Sequence, residues 1–183
     1  MIYFTSDLHL GHKAVIKMQN RPFLDVDEMN KKLIFNYNSI VKPDDTVYIL
    51  GDLSYRIPVD YANDLIKQLN GKKILIKGNH DKHYDPELFE GIYDYLELSI
   101  NKVPVILMHY PLLEWNKSHR GSIHLHGHIH SMGTTYNQEC KSTNIRRYDI
   151  GVDANNYYPV SFNEILSFME LSNNNWYISR NNK

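Results

Sequence analysis

Five short segments place polar residues directly after short apolar runs, and this recurrence constrains the fold more than any other feature of the chain. The segments are Asp7-Leu8-His9, Gly51-Asp52, Gly78-Asn79-His80-Asp81, His109 and Gly127-His128-Ile129-His130. Each apolar run predicts a buried strand that delivers polar side chains at its C-terminal end. Because the carboxyl ends of strands in an open α/β sheet line one crevice, we expect the five segments to converge.

The first half of the chain alternates strands and helices. Apolar runs at Ile2–Thr5, Thr46–Leu50 and Lys73–Ile76 predict strands. Apolar residues at helical spacing predict helices over Asp25–Val41 and Val59–Asn70. This alternation favours a right-handed α/β arrangement with a largely parallel sheet.

The second half is richer in strands. Predicted elements are the strands Ile92–Ile100, Val103–Met108, Ile123–Leu125, Arg147–Val152 and Trp176–Ser179, a turn at Asn101-Lys102, and a helix opened by the capping box Ser161–Glu164. Two long segments without a predicted element, Tyr110–Ser122 and Ser131–Arg146, flank the histidine-rich region. Loops of that length in a compact domain are often functional.

Length, composition and charge limit the class of protein. A chain of 183 residues with 42% hydrophobic and 22% charged residues is expected to form one globular domain over residues 1–183, with residues 180–183 as a frayed tail. The single Cys140 excludes an internal disulfide. No signal peptide or membrane-spanning run is present, so we expect a cytoplasmic protein without a membrane partner. The net charge of −1 gives no bulk attraction to nucleic acid, which stays possible through local basic patches.

The side-chain types in the five segments indicate a metal centre. Histidine nitrogens, carboxylates and an amide oxygen together suit Mn, Fe, Zn, Ni or Co. Asp7 and His9 are two residues apart, as are His128 and His130, so on an extended backbone each pair would leave the same side of its segment. The ligands outnumber the needs of one tetrahedral ion. Two ions about 3.5–4 Å apart would clamp both oxygens of an in-line phosphoryl displacement.

The ordered set resembles the calcineurin-like metallophosphoesterase superfamily, whose motifs are D-x-H, G-D, G-N-H-D/E, H and G-H-x-H. The chain is also similar to small bacterial and phage members of that superfamily in three further stretches. These are Asp7–His12, Arg21-Pro22-Phe23, and Gly151-Val152-Asp153 followed by Pro159-Val160-Ser161. The resemblance implies an α/β fold of two packed β-sheets flanked by helices, a four-layer sandwich.

The resemblance also implies a role for each motif residue. Asp7, His9 and His130 would bind a first divalent transition-metal ion, and Asn79, His109 and His128 a second, with Asp52 bridging the two. Manganese is the expected metal. The nucleophile would be a metal-bound hydroxide. His80 would face the phosphate and assist the leaving group, and Asp81 would orient His80 by a hydrogen bond.

Substrate contacts are expected from basic side chains near the motifs. The candidates are His12, Arg21, Arg56, Arg120 and Arg146. Many relatives carry an acidic residue before the arginine that follows G-D, whereas this chain has Tyr55 before Arg56. His124 and His126 are expected to have structural roles, since His126 lies in the alternate register to His128.

The expected activity is hydrolysis of a phosphate ester, with an open site favouring a phosphodiester or cyclic nucleotide over an enclosed metabolite. One alternative is a nuclease or nucleic-acid end-processing phosphatase whose loop arginines track a strand. The other is a catalytically silent scaffold, which is disfavoured because no ligand is missing. The sequence leaves the oligomeric state open.

Overall fold

The computed structural model describes residues 1–81, 83–133 and 135–171. The predicted strand Trp176–Ser179 and the predicted frayed tail 180–183 lie outside these residues. Nine strands are described: β1 (Ile2–Thr5), β2 (Thr46–Ile49), β3 (Lys72–Ile76), β4 (Gly91–Tyr93), β5 (Tyr95–Ile100), β6 (Val103–Met108), β7 (Ile123–His126), β8 (Arg147–Asp149) and β9 (Val160–Ser161). Five α-helices accompany them: α1 (Lys13–Met18), α2 (Val26–Ile40), α3 (Val59–Lys67), α4 (Thr135–Ser142) and α5 (Phe162–Phe168).

The described strands form two sheets. The first has the order β4-β3-β2-β1-β9, in which β4 to β1 run parallel and β9 is antiparallel. The second has the order β5-β6-β7-β8, in which β5 is antiparallel and the others are parallel. Parallel strands in both sheets therefore bring several carboxyl ends to one edge.

Alternating side chains bury the two faces of the first sheet in different cores. On β1, Tyr3 faces a core shared with α1, α2 and α3, whereas Phe4 faces a core shared with the second sheet and α5. On β2, Val47 and Ile49 contribute to the helical core, and Leu50, which follows the strand, contributes to the core between the sheets. On the second sheet, α4 packs against β8. The expected pair of packed sheets flanked by helices is confirmed.

Local sequence signals explain where several elements begin and turn. The carboxylate of Asp25 accepts a hydrogen bond from the Glu28 amide and caps α2. The capping box predicted at Ser161 and Glu164 opens α5. Asn101 and Lys102 join β5 to β6 as a two-residue turn with φ of 51° and 72°, both left-handed, which matches the twist of the hairpin.

Three predictions about elements differ from the structure. The single strand expected over Ile92–Ile100 is two strands in different sheets, since the chain leaves the first sheet at Asp94 and enters the second. The segment Ser131–Arg146 contains α4, and α1 was not predicted.

Within the part of the chain that is described, no helix is long and apolar enough to cross a membrane.

Candidate metal centre

Strand ends bring the predicted metal ligands to one edge of the two sheets. Asp7, Asp52 and Asn79 follow β1, β2 and β3 of the first sheet, and His109 and His128 follow β6 and β7 of the second. The side chains form two groups of three, and within each group one ligand atom per residue lies within 4.8 Å of the other two. The first group is Asp7, His9 and His130, and the second is Asp52, His109 and His128. Asn79 Oδ1 lies beside the second group, so the structure brings together all seven residues expected to bind metal.

The first group holds polar atoms that lack a partner. Asp7 and His9 are almost completely buried, and neither Asp7 Oδ1 nor His9 Nε2 has a hydrogen-bond partner within the described ranges. His130 Nε2 lies 3.8 Å from Asp7 Oδ1. Buried polar atoms are normally paired, and an acceptor oxygen beside ring nitrogens is the environment that a divalent cation satisfies.

The second group brings acceptors against one another. His109 Nδ1 donates to the Leu50 carbonyl at 2.7 Å, so in the neutral ring His109 Nε2 is the nitrogen that carries the lone pair. That nitrogen lies 3.1 Å from Asn79 Oδ1 and 3.5 Å from Asp52 Oδ2. Three acceptors at this spacing repel one another without a cation, so the donor set fits a metal ion.

Asp52 lies between the groups. Its Oδ2 is 3.6 Å from His9 Nε2 of the first group and 3.5 Å from His109 Nε2 of the second. Its Oδ1 accepts a hydrogen bond from the His80 amide at 2.9 Å, which fixes the carboxylate plane. This is the position that a carboxylate bridging two ions requires.

The backbone at the ligands is left-handed. Five non-glycine ligands have positive φ: Asp7 (58°), His9 (50°), Asp52 (54°), His128 (73°) and His130 (46°). The extended backbone assumed for each D-x-H and H-x-H pair is therefore wrong, although the side chains still converge. This conformation is sterically unfavourable outside glycine, and its clustering is typical of functional sites.

Burial sets the protonation of two ligands. It raises the pKa of Asp7 to about 7, partly offset by His130 and His109. Burial also lowers the pKa of His9 to about 2, so this ring is neutral with a lone pair available. A divalent cation would reverse the burial penalty on Asp7, because it stabilises the carboxylate.

His80 lies at the solvent side of the centre with an aromatic neighbour. Its ring is 5.6 Å from that of His9 and 4.3 Å from that of Tyr55. The Tyr55 ring also lies 4.4 Å from that of His12, whose Nδ1 is 3.3 Å from His9 Nδ1. Tyr55 therefore packs against two histidines at the mouth of the centre.

The role expected for Asp81 is not supported. Its carboxylate accepts hydrogen bonds from the backbone amides of Asp52, Leu53 and Gly78 at 2.8–2.9 Å, and from the Tyr84 hydroxyl at 2.8 Å. No hydrogen bond joins it to the His80 ring among the described residues. Asp81 holds together the two loops that follow β2 and β3, instead of orienting His80.

Three of the arginines expected to touch substrate lie elsewhere. Arg21 is 4% exposed and its guanidinium is bonded to protein groups behind the site. Arg120 and Arg146 precede β7 and β8, at the end of the second sheet opposite the ligands, and Arg146 donates to the Gly121 carbonyl. The connections from β6 to β7 and from β7 to β8 leave the sheet at the ligand end. Because these strands are parallel, each connection must return to the opposite end before the next strand begins. Arg56 is exposed beside the centre, over the Tyr55 ring.

Two buried aspartates near the centre were not predicted as site residues. Asp153 accepts a hydrogen bond from His130 Nδ1 at 2.7 Å, and its only sequence signal was the Gly151-Val152-Asp153 motif. Asp149 accepts from Ser131, next to His130.

His124 and His126 are completely buried. The ring nitrogens of His124 bond to the Ile106 carbonyl and the Leu112 amide, and those of His126 bond to the Gly127 carbonyl and the Tyr136 hydroxyl.

Comparison with known proteins agrees with this geometry. The family model described as calcineurin-like phosphoesterase matches residues 1–142, which include every predicted metal ligand. The chain belongs to the calcineurin-like phosphoesterase family. Members of this family use divalent metals, and the two ligand groups give this chain the residues to hold them.

The chain is also similar to proteins from an archaeon, a phage and a bacterium. The uncharacterized protein MJ1445 of Methanocaldococcus jannaschii is 38% identical over 172 residues, covering 92% of this chain and 91% of that protein. The Gene 66 protein of Mycobacterium phage L5 is 32% identical, covering 70% and 77% respectively. The solved structure of the protein of unknown function AQ665 from Aquifex aeolicus has a TM-score of 0.72 at 28% identity, covering 91% of this chain and 98% of that one.

Proposed function

We propose that this member of the family is a two-metal phosphoesterase that hydrolyses a phosphodiester, with a linear or cyclic nucleotide as the best-fitting class of substrate. One observation carries the proposal: Asp52 lies between two ligand groups while His80 stands beside them, open to solvent. A site for one metal ion would not require a second group of ligands beside the same carboxylate.

The proposed ligands divide between two ions. Asp7, His9 and His130 would hold one, and Asn79, His109 and His128 the other, with Asp52 shared. The mixed nitrogen and oxygen donors favour manganese, with iron, zinc, nickel or cobalt as alternatives. When bound, such a pair neutralises phosphate charge and lowers the pKa of water.

The chain's own groups would complete the reaction. His80 Nε2 is 3.9 Å from Asp52 Oδ2 and its ring is partly exposed, so it can donate a proton to the leaving oxygen of a phosphate held at the centre. The Tyr55 ring packs against the His80 ring at 4.3 Å and restricts its movement on that side. A tyrosine at position 55 also avoids the repulsion that a carboxylate would exert on an anionic substrate.

A cleft beside His80 can take the group attached to the phosphate. It encloses about 400 Å³ and is lined by Ser54, Tyr55, Arg56, Ile57, Val59, Ala62, Asn79, His80, His83 and Tyr84. An aromatic and apolar wall with one guanidinium suits a planar group that carries further negative charge. This supports a nucleotide over a simple sugar phosphate. The positions of Arg120 and Arg146 give no support to the alternative of a nuclease with a basic track.

The first experiment measures turnover with added Mn²⁺. The substrates are a nitrophenyl phosphodiester, a nitrophenyl monoester, and 2′,3′-cyclic, 3′,5′-cyclic and linear dinucleotides. We expect diesters to be preferred, and Asp52→Asn to abolish turnover of all of them. Activity that does not require a divalent metal, or that survives Asp52→Asn, would refute the two-metal proposal.

His80 and the cleft are tested separately. We expect His80→Ala to reduce kcat by about 10²–10⁴-fold for nucleotides, and by much less for a nitrophenolate, which leaves without a proton. His119→Ala is the matched control, because His119 is exposed in the connection between β6 and β7. We expect Arg56→Ala to raise KM for nucleotides and leave the nitrophenyl substrates unaffected. Equal effects on both substrate types would contradict these two roles.

A further inference from the structure

One guanidinium joins the parts of the chain that carry the first ligand group. Arg21 Nε and Nη2 donate to Asp153 Oδ1 and Oδ2, both at 2.8 Å. Nη2 also donates to the Asp7 carbonyl at 2.7 Å, and Nη1 donates to the Leu8 carbonyl at 3.0 Å. Arg21 therefore fixes the backbone between Asp7 and His9 at the same time as it fixes the carboxylate of Asp153.

Asp153 transmits this constraint to His130. Its Oδ2 accepts a hydrogen bond from His130 Nδ1 at 2.7 Å. Because a carboxylate oxygen accepts, Nδ1 carries a hydrogen, and in the neutral ring that binds a metal Nε2 keeps its lone pair on the side of Asp7. A metal-binding histidine whose other nitrogen donates to a carboxylate is held in the required tautomer and ring orientation.

The second ligand group has a different support. Asp81 accepts from the amides of Asp52 and Gly78, and the Leu50 carbonyl accepts from His109. In the part of the chain that the structure describes, no hydrogen bond connects Arg21 or Asp153 to this second group. The carboxylate of Asp153 thus supports the first ligand group, and the carboxylate of Asp81 supports the second group and the shared Asp52.

We infer that Arg21 and Asp153 form a positioning pair for the first metal site alone, so that the affinities of the two ions can be altered independently. The inference rests on the metal centre of the proposed function. Arg21 then has a structural role in place of the expected substrate contact. It holds the carbonyls of Asp7 and of Leu8, which precedes His9, and its partner Asp153 holds the ring of His130. Arg21 and Asp153 act through these ligands and touch no reacting atom.

A calorimetric titration of the metal-free protein with Mn²⁺ tests the inference. We expect two ions to bind to the wild type. Asp153→Asn, which keeps the side-chain shape, should weaken one ion by about 10–100-fold and leave the other unchanged. Asp81→Asn, which loosens the support of the shared Asp52, should weaken both ions. Arg21→Lys, which keeps the charge but loses the bidentate contact, should reproduce the effect of Asp153→Asn.

A double variant identifies the affected site. Because Asp153 is inferred to act mainly through His130, Asp153→Asn should cause a much smaller further loss of Mn²⁺ affinity in a His130→Ala background than in the wild type. Asp45→Asn is the matched control: Asp45 is also buried, but it precedes β2 at the opposite end of the sheet and accepts from the Lys42 amide. It should leave both ions unaffected.

Two results would overturn the inference: equal weakening of both ions by Asp153→Asn, or a loss of affinity in the His130→Ala background as large as that in the wild type. A metal-free measurement separates this inference from the proposed function. Long-range ¹H–¹⁵N NMR spectra at alkaline pH, where the ring is neutral, should show His130 as the Nδ1–H tautomer in the wild type and a mixture of tautomers in Asp153→Asn. A wild type that binds no Mn²⁺ would refute the proposed function, while the spectra would still decide whether Asp153 orients His130.

Discussion

Replacing Asp81 with asparagine tests whether this carboxylate holds the ligand loops or orients His80. Its Oδ2 accepts from the Asp52 and Gly78 amides, and its Oδ1 accepts from the Leu53 amide and the Tyr84 hydroxyl. Asparagine has one acceptor oxygen, so in either orientation its amino group would face at least one backbone N–H. Two of the four hydrogen bonds would be disrupted. They are the bonds from Asp52 and Gly78 in one orientation, and in the other the bond from Leu53 together with the one from Tyr84, whose hydroxyl can then only accept.

The expected cost follows from the loss of these two hydrogen bonds. A hydrogen bond to a charged group contributes about 1.5–3 kcal/mol, so two contribute about 3–6 kcal/mol. Burial raises the pKa of Asp81, and relief of that burial penalty in the neutral variant offsets part of the loss. We therefore expect the free energy of unfolding to fall by about 3 kcal/mol, and Tm by about 6–12 °C for a chain of this size.

Urea and thermal unfolding in the presence of a chelator measure this effect without contributions from metal. Tyr84→Phe is the graded control, because it removes one of the four hydrogen bonds and should cost about 1 kcal/mol. The reasoning would be refuted by an Asp81→Asn variant that unfolds within about 0.5 kcal/mol of the wild type while its pH–rate profile is shifted. That result would restore Asp81 as the residue that orients His80.

Three further predictions concern pH, packing and metal. Burial lowers the pKa of His124 to about 3, and the Leu112 amide donates to its Nε2. Below pH 6.5 the unfolded chain therefore binds a proton that the native state does not, and stability should fall by about 1.4 kcal/mol per pH unit, or about 2 kcal/mol at pH 5. Urea unfolding of wild type and His124→Asn at pH 7 and pH 5 should show this difference; equal pH dependence would contradict it. A Cβ at Gly127 would overlap Ser6 Oγ and Asp7 Oδ2, so Gly127→Ala should displace Asp7 and abolish high-affinity Mn²⁺ binding in calorimetry. Gly133→Ala, whose Cβ would meet no described atom within 4 Å, should retain that binding. Saturating Mn²⁺ at about 100 times Kd should stabilise the wild type by about 2.7 kcal/mol per ion, read as a rise in Tm that EDTA reverses.

The sequence predicted the convergence of ligands well because strand ends and metal-binding side chains are both local signals. Asp7, Asp52 and Asn79 each follow a short apolar run, and parallel pairing of those runs is sufficient to bring them together. The capping box at Ser161 and the turn at Asn101 were equally local. Such features depend on a few neighbouring residues, which the sequence displays directly.

Features that depend on distant partners could not be predicted in this way. Arg21 and Asp153 are 132 residues apart, and nothing near either residue shows that the other neutralises it. The four partners of Asp81 include three backbone amides, which have no sequence signature at all. The break at Asp94 arises because one apolar run supplies an edge strand to each of two sheets.

The left-handed backbone at the metal ligands has a consequence for the history of the family. Asp7, His9, Asp52, His128 and His130 each adopt a conformation that glycine accepts freely, at a cost of about 1 kcal/mol per residue. On the proposed function, metal binding is the reason for keeping these side chains in place against that cost. In a lineage released from this selection, we expect glycine or asparagine to accumulate at these five positions earlier than changes appear in the core. A descendant that has become a silent scaffold would therefore be more stable than its metal-binding ancestor, and its sequence alone would reveal the loss of activity.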